Sequence, residues 1–290
     1  MTAPYPHIPA RDISAEERAA YARDGAVVLR GVLQPAWIER MRTAVDRILA
    51  SPGSASVEYA AKGSGGRYYG DFFLWMRDPD FRAIALDSPL PLLAQQMMRA
   101  RCVTFFYDQL LVKEPMTREE TPWHQDLPYW PLRGEDILSF WVAFDSVSAE
   151  TGAMRYVKGS QRSGVMYAPR AFSNDSGFGE LYARMGLPEM PSSEALLDGA
   201  ELLVCEVEPG DIVVHHPLTF HWSPGNLSPA TRRRALALRY AGDDAAYDGR
   251  PGTFVESSRV QDLLLEPIEL SDGEPLRGAN FPQVWPRIDR

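Results

Sequence analysis

The sequence predicts a mostly β fold with flanking helices, built on a jelly-roll core of the cupin type. Three observations predict it. Apolar residues in the first hundred positions repeat at helical spacing. From about Arg101 that spacing gives way to short β-rich runs. Turn signals at Glu150-Thr-Gly, Pro209-Gly-Asp and Pro224-Gly-Asn separate those runs. Helices followed by many short strands fit helices packed on a sandwich or barrel, and a double-sheet jelly roll is one such arrangement.

The elements follow in order. Ser14-Ala-Glu-Glu is a capping-box pattern that starts a helix running to about Arg23. Asp24-Gly25 ends it as a turn, and Ala26 to Leu29 reads as a strand. Pro35 opens a second helix, in which Trp37, Ile38, Met41, Val45 and Ile48 form a stripe suited to packing on a sheet. Residues 53–70 read as a Gly- and Ser-rich loop, a candidate lid from which Arg67, Tyr68 and Tyr69 can reach a site. Asp78-Pro79 and Ser88-Pro89 open two further helices. Strands are expected at Val103 to Lys113, Ile137 to Phe144, Met154 to Val157, Glu201 to Glu206, Ile212 to His215 and Arg234 to Tyr240. Residues 168–199 form an insertion able to cap the mouth of the fold. The expected organisation is one domain over residues 1–290: a mainly helical part to residue 100, the jelly roll over 101–242, and a C-terminal wrap with little regular structure.

Composition narrows the function. The chain of 290 residues is 45 % hydrophobic and carries a net charge of −9, which argues against nucleic acid or an anionic membrane as partner. No run is long and apolar enough to span a bilayer, and the start, with three prolines, has no signal-peptide pattern. The two cysteines, Cys102 and Cys205, form no paired motif; they fit core positions in strands and a reducing cytoplasm. A small-molecule substrate is the expected partner.

The chemistry centres on Thr121-Pro-Trp-His-Gln-Asp126. In a strand, His124 and Asp126 leave the backbone on one side. An imidazole and a carboxylate so placed can hold two neighbouring positions of a metal, and a second histidine would complete a face with the opposite positions open. His221 is the obvious donor and His216 its rival; His215 and His216 point to opposite faces, so at most one faces inward. Alone, the His-x-Asp triplet is a weak signal. Downstream, Arg233, Ala235, Ala237 and Arg239 share one strand face. The plain reading is a solvated basic strand; the functional one is an arginine inside the fold, whose planar fork suits a carboxylate.

Five blocks in order carry a resemblance: Trp123-His-Gln-Asp-Leu-Pro-Tyr-Trp-Pro, Ser139-Phe-Trp-Val-Ala-Phe, Glu150-Thr-Gly-Ala-Met-Arg-Tyr-Val-Lys-Gly-Ser-Gln, Gly210-Asp, and His216-Pro-Leu-Thr-Phe-His-Trp-Ser. Together they resemble the phytanoyl-CoA dioxygenase family. The resemblance implies a double-stranded β-helix that holds one Fe(II) and uses 2-oxoglutarate and O2. Carried over by motif, it implies His124, Asp126 and His221 as iron ligands. It implies Arg233 for the distal carboxylate of 2-oxoglutarate, with Arg232 and Arg234 left open by one extra residue after His221. It implies Ser223, Trp141 and Gln109 as further pocket positions. Halogenating relatives carry a small residue in place of the carboxylate, so Asp126 favours hydroxylation. Lys158-Gly-Ser-Gln replaces a more usual Pro-Gly-Ser-His at a turn away from the chemistry. The rivals are a cupin-like binding module, which would bind no iron, and a non-redox metal enzyme, which would turn over without oxygen. Tyr129, Trp130, Tyr69 and Phe72 are candidate pocket aromatics, with core packing as the plain alternative. No basic patch marks a CoA thioester, and oligomeric state is not encoded in any motif.

Overall fold

A computed structural model describes residues 7–60, 63, 65–169 and 179–287. Two antiparallel sheets face each other with helices on one outer side, an open jelly-roll sandwich in place of a closed barrel. Helix α1 (Ala15–Asp24) begins with the capping box the sequence predicts: Glu17 N–H donates to Ser14 Oγ at 3.1 Å, and Ser14 N–H donates to the Glu17 carboxylate at 2.8 Å. Gly25 ends it at φ 76°, where a Cβ would sit 2.3 Å from both Gln161 Oε1 and Thr219 Oγ1. Only glycine meets both conditions. Its carbonyl accepts from His216 N–H and Thr219 Oγ1, tying the first helix to the turn that leads into His221.

Strand β1 (Ala26–Leu29) follows, then α2 (Pro35–Ala50), β2 (Val57–Glu58) and β3 (Tyr68–Phe72). Helices α3 (Pro79–Leu86) and α4 (Leu90–Met98) precede β4 (Val103–Lys113), β5 (Thr121–His124), β6 (Leu132–Arg133), β7 (Ile137–Ala143) and β8 (Met154–Val157). Helices α5 (Gly179–Ala183) and α6 (Ser193–Leu197) lie in the insertion. Then come β9 (Leu202–Cys205), β10 (Ile212–His215), β11 (His221–Ser223), β12 (Arg233–Ala241), β13 (Ala246–Tyr247), α7 (Ser258–Gln261) and β14 (Gln283–Trp285). No helix among the described residues is long and apolar enough to cross a membrane.

The large sheet runs β1-β10-β7-β12-β4-β3-β2, with β14 added against β4. Strand alternation gives it two unlike faces. Ile212, Val214, Phe140, Val142, Leu236, Leu238, Leu110 and Val112 face outward into one buried apolar cluster with Trp37, Ile38, Met41 and Val45 of α2. Each fully buried side chain of this kind contributes about 2 kcal/mol. The inner face carries the polar rungs. One rung is Tyr68, Lys113 and Arg233; another is Phe72, Gln109, Ala237 and Trp141; a third is Arg239, Ser139 and His215. The small sheet, β5-β11-β8-β9, pairs His221 directly with His124 on one side and with Tyr156 on the other.

Three expectations are corrected. Residues 53–70 are not simply a loop: β2 and the start of β3 lie within them, while residues 61, 62 and 64 fall outside the described residues. Strand β3 was hidden by polarity, because Asp71 is fully buried on its outer side, held by Arg77 at 2.6 Å. Cys102 is exposed just before β4; only Cys205 is a buried strand residue. Asp126 is not in a strand, since β5 ends at His124 and Asp126 opens the 3-10 turn Leu127–Tyr129. The insertion expected over residues 168–199 includes 170–178, which lie outside the described residues. In its remainder, Met190 and Leu196 pack with Trp123 and Phe220, while Tyr182 joins the large apolar cluster. The C-terminal stretch is largely irregular, with β14 pairing it to β4.

Candidate metal centre and co-substrate pocket

His124, Asp126 and His221 each present one ligand atom, all within 4.8 Å of one another and all from buried residues. Asp126 Oδ1 lies 3.6 Å from His124 Nε2 and 3.8 Å from His221 Nε2. Two local devices aim the imidazoles. His124 Nδ1 bonds the Pro122 carbonyl at 2.8 Å, and His221 Nδ1 bonds the Thr219 carbonyl at 2.9 Å. A carbonyl only accepts, so each Nδ1 carries the proton and each Nε2 lone pair faces the centre. Cross-strand pairing sets the two ring centroids 4.0 Å apart.

Asp126 is held differently. Its backbone N–H donates to the Pro217 carbonyl at 2.8 Å, which docks the 3-10 turn against the β10–β11 connection. Its second oxygen, Oδ2, accepts from Ser139 Oγ at 3.1 Å and from His215 Nε2 at 3.2 Å, with Arg239 Nη2 at 3.7 Å. Tyr156 O–H lies 3.2 Å from His215 Nδ1, completing that ring's bonding. The carboxylate thus leaves Oδ1 free to face a metal while Oδ2 is held by Ser139 and His215, as the outward oxygen of a metal-binding carboxylate commonly is. Burial would raise the Asp126 carboxyl, but Arg239, with the surrounding histidines, holds it well below the usual carboxylate range. Burial, then His124 and His215, push His221 well below the usual imidazole value. An anionic carboxylate beside a neutral His221 imidazole is the protonation state a divalent metal requires.

The rival histidine is placed elsewhere. His216 Nδ1 accepts from Leu218 N–H at 3.1 Å, and its Nε2 lies 3.8 Å from the Glu135 carboxylate. His215 is the one that faces inward, as a partner of Asp126. Strand alternation carries the signal for it: Ile212 and Val214 enter the apolar cluster, so His215 must point the other way.

Above the centre, Gln109, Leu111, Thr121, Trp141, Met154 and Arg233 line the same cavity. Arg233 is 1 % exposed, and among the described residues Nε, Nη1 and Nη2 all lack a hydrogen-bond partner. Its guanidinium lies 5.4 Å from the Trp141 ring, whose own Nε1–H is also buried and unpartnered. Its neighbours point outward into ion pairs, Arg232 with Glu114 and Asp46, Arg234 with Asp145 and Asp46. Ser223 Oγ lies 3.2 Å from Thr121 Oγ1, which lies 2.7 Å from the Tyr68 hydroxyl. Gln109 has its amide occupied: Oε1 accepts from Arg239 at 3.2 Å and Nε2 donates to the Tyr59 hydroxyl at 3.4 Å.

Of the three loop residues expected to reach the site, only Tyr68 does. Tyr69 faces the opposite side and donates to Asp71 at 2.9 Å, while Arg67 pairs with Glu58. Tyr129 sits edge-on to His124 with centroids 6.1 Å apart, and Tyr182 of α5 covers Tyr129 at 5.1 Å. Trp130 donates to the Tyr107 hydroxyl at 2.9 Å, and Arg239 lies 4.4 Å over the Tyr107 ring. Sequence reasoning missed Lys113, Ser139, His215 and Arg239 as parts of this centre. Each lies on an inner rung of the large sheet, so strand alternation and register were the signals that could have found them.

A buried anion-ready arginine and a two-histidine, one-carboxylate face fit a non-haem iron and a dicarboxylate keto acid. Comparison with known proteins agrees with this chemistry. The family profile described as "Phytanoyl-CoA dioxygenase (PhyH)" matches residues 21–235. The peroxisomal phytanoyl-CoA dioxygenase of Homo sapiens is 24 % identical over 258 residues, 84 % of this chain and 73 % of that protein. A probable phytanoyl-CoA dioxygenase of Caenorhabditis elegans is 31 % identical over 138 residues, 47 % of this chain and only 41 % of the relative. The epimerase SnoN, solved with Fe3+, alpha ketoglutarate and nogalamycin RO, superposes with a TM-score of 0.67 at 23 % identity, covering 93 % of this chain and 97 % of SnoN. With most of its length matched, the chain belongs to the phytanoyl-CoA dioxygenase family of Fe(II)- and 2-oxoglutarate-dependent dioxygenases.

Proposed function

We propose that this dioxygenase hydroxylates an unactivated C–H bond of a small organic metabolite or natural-product intermediate. One observation carries the reading: a His124–Asp126–His221 face and an unpartnered, fully buried Arg233 line one cavity. His124 Nε2, Asp126 Oδ1 and His221 Nε2 would hold Fe(II). Arg233 would take the distal carboxylate of 2-oxoglutarate bidentately, with Ser223 and Trp141 Nε1 as further donors. When bound, iron and 2-oxoglutarate supply the oxidising power: O2 is reduced, the keto acid becomes succinate and carbon dioxide, and a C–H bond becomes C–OH.

The chain's own residues do the rest. Backbone carbonyls at Pro122 and Thr219 fix the imidazole tautomers. Ser139, His215 and Arg239 fix the carboxylate without claiming its metal-facing oxygen. Gln109 lines the cavity but acts through Arg239, whose guanidinium it accepts from. Tyr129 and Tyr182 shut water from the histidine side. The net charge of −9 supports a partner other than nucleic acid, and a reducing cytoplasm is the compartment that suits ferrous iron and unpaired cysteines.

The test is an anaerobic titration with Fe(II) and then 2-oxoglutarate, followed by a succinate-release screen over candidate substrates. Iron-dependent 2-oxoglutarate binding and oxygen-dependent succinate release are expected. Turnover that continues without oxygen would rule this function out.

A further inference from the structure

His124 and His221 stand on strands, and Asp126 is the candidate ligand that does not. Its position is set by the 3-10 turn it opens. The front of that turn is pinned at one carbonyl: Asp126 N–H and Leu127 N–H donate to Pro217 at 2.8 and 3.0 Å. Inside the turn, Tyr129 N–H donates to the Asp126 carbonyl and Trp130 N–H to the Leu127 carbonyl, both at 3.1 Å. A helical turn this short satisfies few of its own carbonyls.

The rear of the turn is held by Arg250, from the C-terminal wrap. Its Nη2 donates to the carbonyls of Leu127 at 2.7 Å and Trp130 at 2.6 Å. Its Nη1 donates to the Leu132 carbonyl at 3.3 Å and to the Asp248 carboxylate. Among the described residues the buried Nε–H has no partner, so the fork leaves one donor unmet while the other four reach these acceptors. The wrap that carries it is itself fixed. Asp248 N–H donates to the Pro131 carbonyl at 2.9 Å, and β13 pairs with β6 through Tyr247 and Leu132. Two residues on, Gly252 lies so close to α5 that a Cβ would sit 2.8 Å from the Leu181 carbonyl. Tyr182 of that helix then returns to Tyr129, within the same turn.

We propose that Arg250 is a positioning residue for Asp126: by gathering three main-chain carbonyls of residues 127–132 it fixes the direction in which the carboxylate presents Oδ1. This rests on the metal reading above and deepens it. Released at the rear, the turn can swing about its single front pin at Pro217. Oδ1 then leaves the place it shares between His124 Nε2 and His221 Nε2, although no ligand has changed. Ser139 and His215 hold only Oδ2 and cannot restore that direction.

The experiment is anaerobic calorimetry with Fe(II), paired with the visible spectrum of Co(II) bound in its place, whose bands follow ligand geometry. Arg250→Met is expected to weaken Fe(II) about tenfold and to shift the Co(II) bands. Arg250→Lys keeps the charge but cannot span three carbonyls, so it should show the same shift; it replaces the methionine variant where that one does not fold. Arg287→Met is the control for a merely structural clasp. Arg287 also belongs to the C-terminal stretch, and it donates to the carbonyls of Asp87 at 2.9 Å and Ser88 at 3.3 Å, away from the turn. It should lower Tm and leave both metal readouts at the parent's values. Parent affinity and parent bands in a folded Arg250 variant, or an equal change in Arg287→Met, overturn the proposal. If the parent protein binds neither metal, the metal reading itself has failed and this assignment falls with it.

Discussion

At the metal end of the cavity every remote atom is already bonded: His124 Nδ1 and His221 Nδ1 to carbonyls, Asp126 Oδ2 to Ser139 and His215. Some rungs away on the large sheet, no nitrogen of Arg233 is bonded among the described residues. One end is finished before anything binds, and the other is left incomplete. The difference fits the two tasks proposed for these ends. A metal face must hold its geometry through many turnovers, so its side chains are locked by neighbours. An anion pocket gains affinity from an unmet charge, and that charge is tolerated only because the surrounding sheet is over-determined.

The largest expected effect attacks the finished end. Asp126→Ala removes the shared oxygen between the two imidazoles, and succinate release should drop below detection. A variant that still released succinate at the parent rate would remove the carboxylate from the chemistry. Next comes the incomplete end. Arg233→Met should weaken 2-oxoglutarate about a hundredfold, as loss of a bidentate charge-assisted contact does. Without co-substrate the same variant should melt no lower than the parent, because a buried unpaired cation has gone. A clear fall in Tm would mean that Arg233 is structural and the contrast false.

A smaller effect sharpens the comparison. His215→Phe or Ser139→Ala should lower iron affinity roughly tenfold or more while leaving the preference for 2-oxoglutarate over 2-oxopentanoate unchanged. A changed preference would show that the two ends are not independent. The smallest effect lies outside the cavity and serves as a control on buried charge. Asp108 is pushed up to about 7 by burial, against the Trp75 N–H that favours its anion. The folded chain therefore keeps a proton that the unfolded chain loses near 4, so stability falls as pH rises through that window. Asp108→Asn should flatten the fall, read as Tm at pH 5 and pH 7. An unchanged slope would mean that this carboxyl does not titrate there.

Much of the fold was legible. Val103–Lys113, Met154–Val157, Ile212–His215 and Ala26–Leu29 occur as strands at the positions where alternation and turns put them. Strand β3 was not legible, because its outer side carries a buried Asp71 whose partner, Arg77, comes from a following turn. The His-x-Asp pair was legible as residues but not as geometry. The strand argument for Asp126 is wrong, since convergence comes from the 3-10 turn pinned on Pro217. The face shared by Arg233 and Arg239 was readable, yet nothing in the pattern separated their tasks. One lies beside Trp141 and the other beside Asp126, and only cross-strand register decides which.

Arg250 lies in the C-terminal wrap. It donates to the carbonyls of Leu127 at 2.7 Å and Trp130 at 2.6 Å, and it also pairs with Asp248. A clasp formed more than a hundred residues downstream therefore governs how stiffly the turn behind Asp126 is mounted. A change at Arg250 would alter that mounting while leaving His124, Asp126 and His221 themselves untouched.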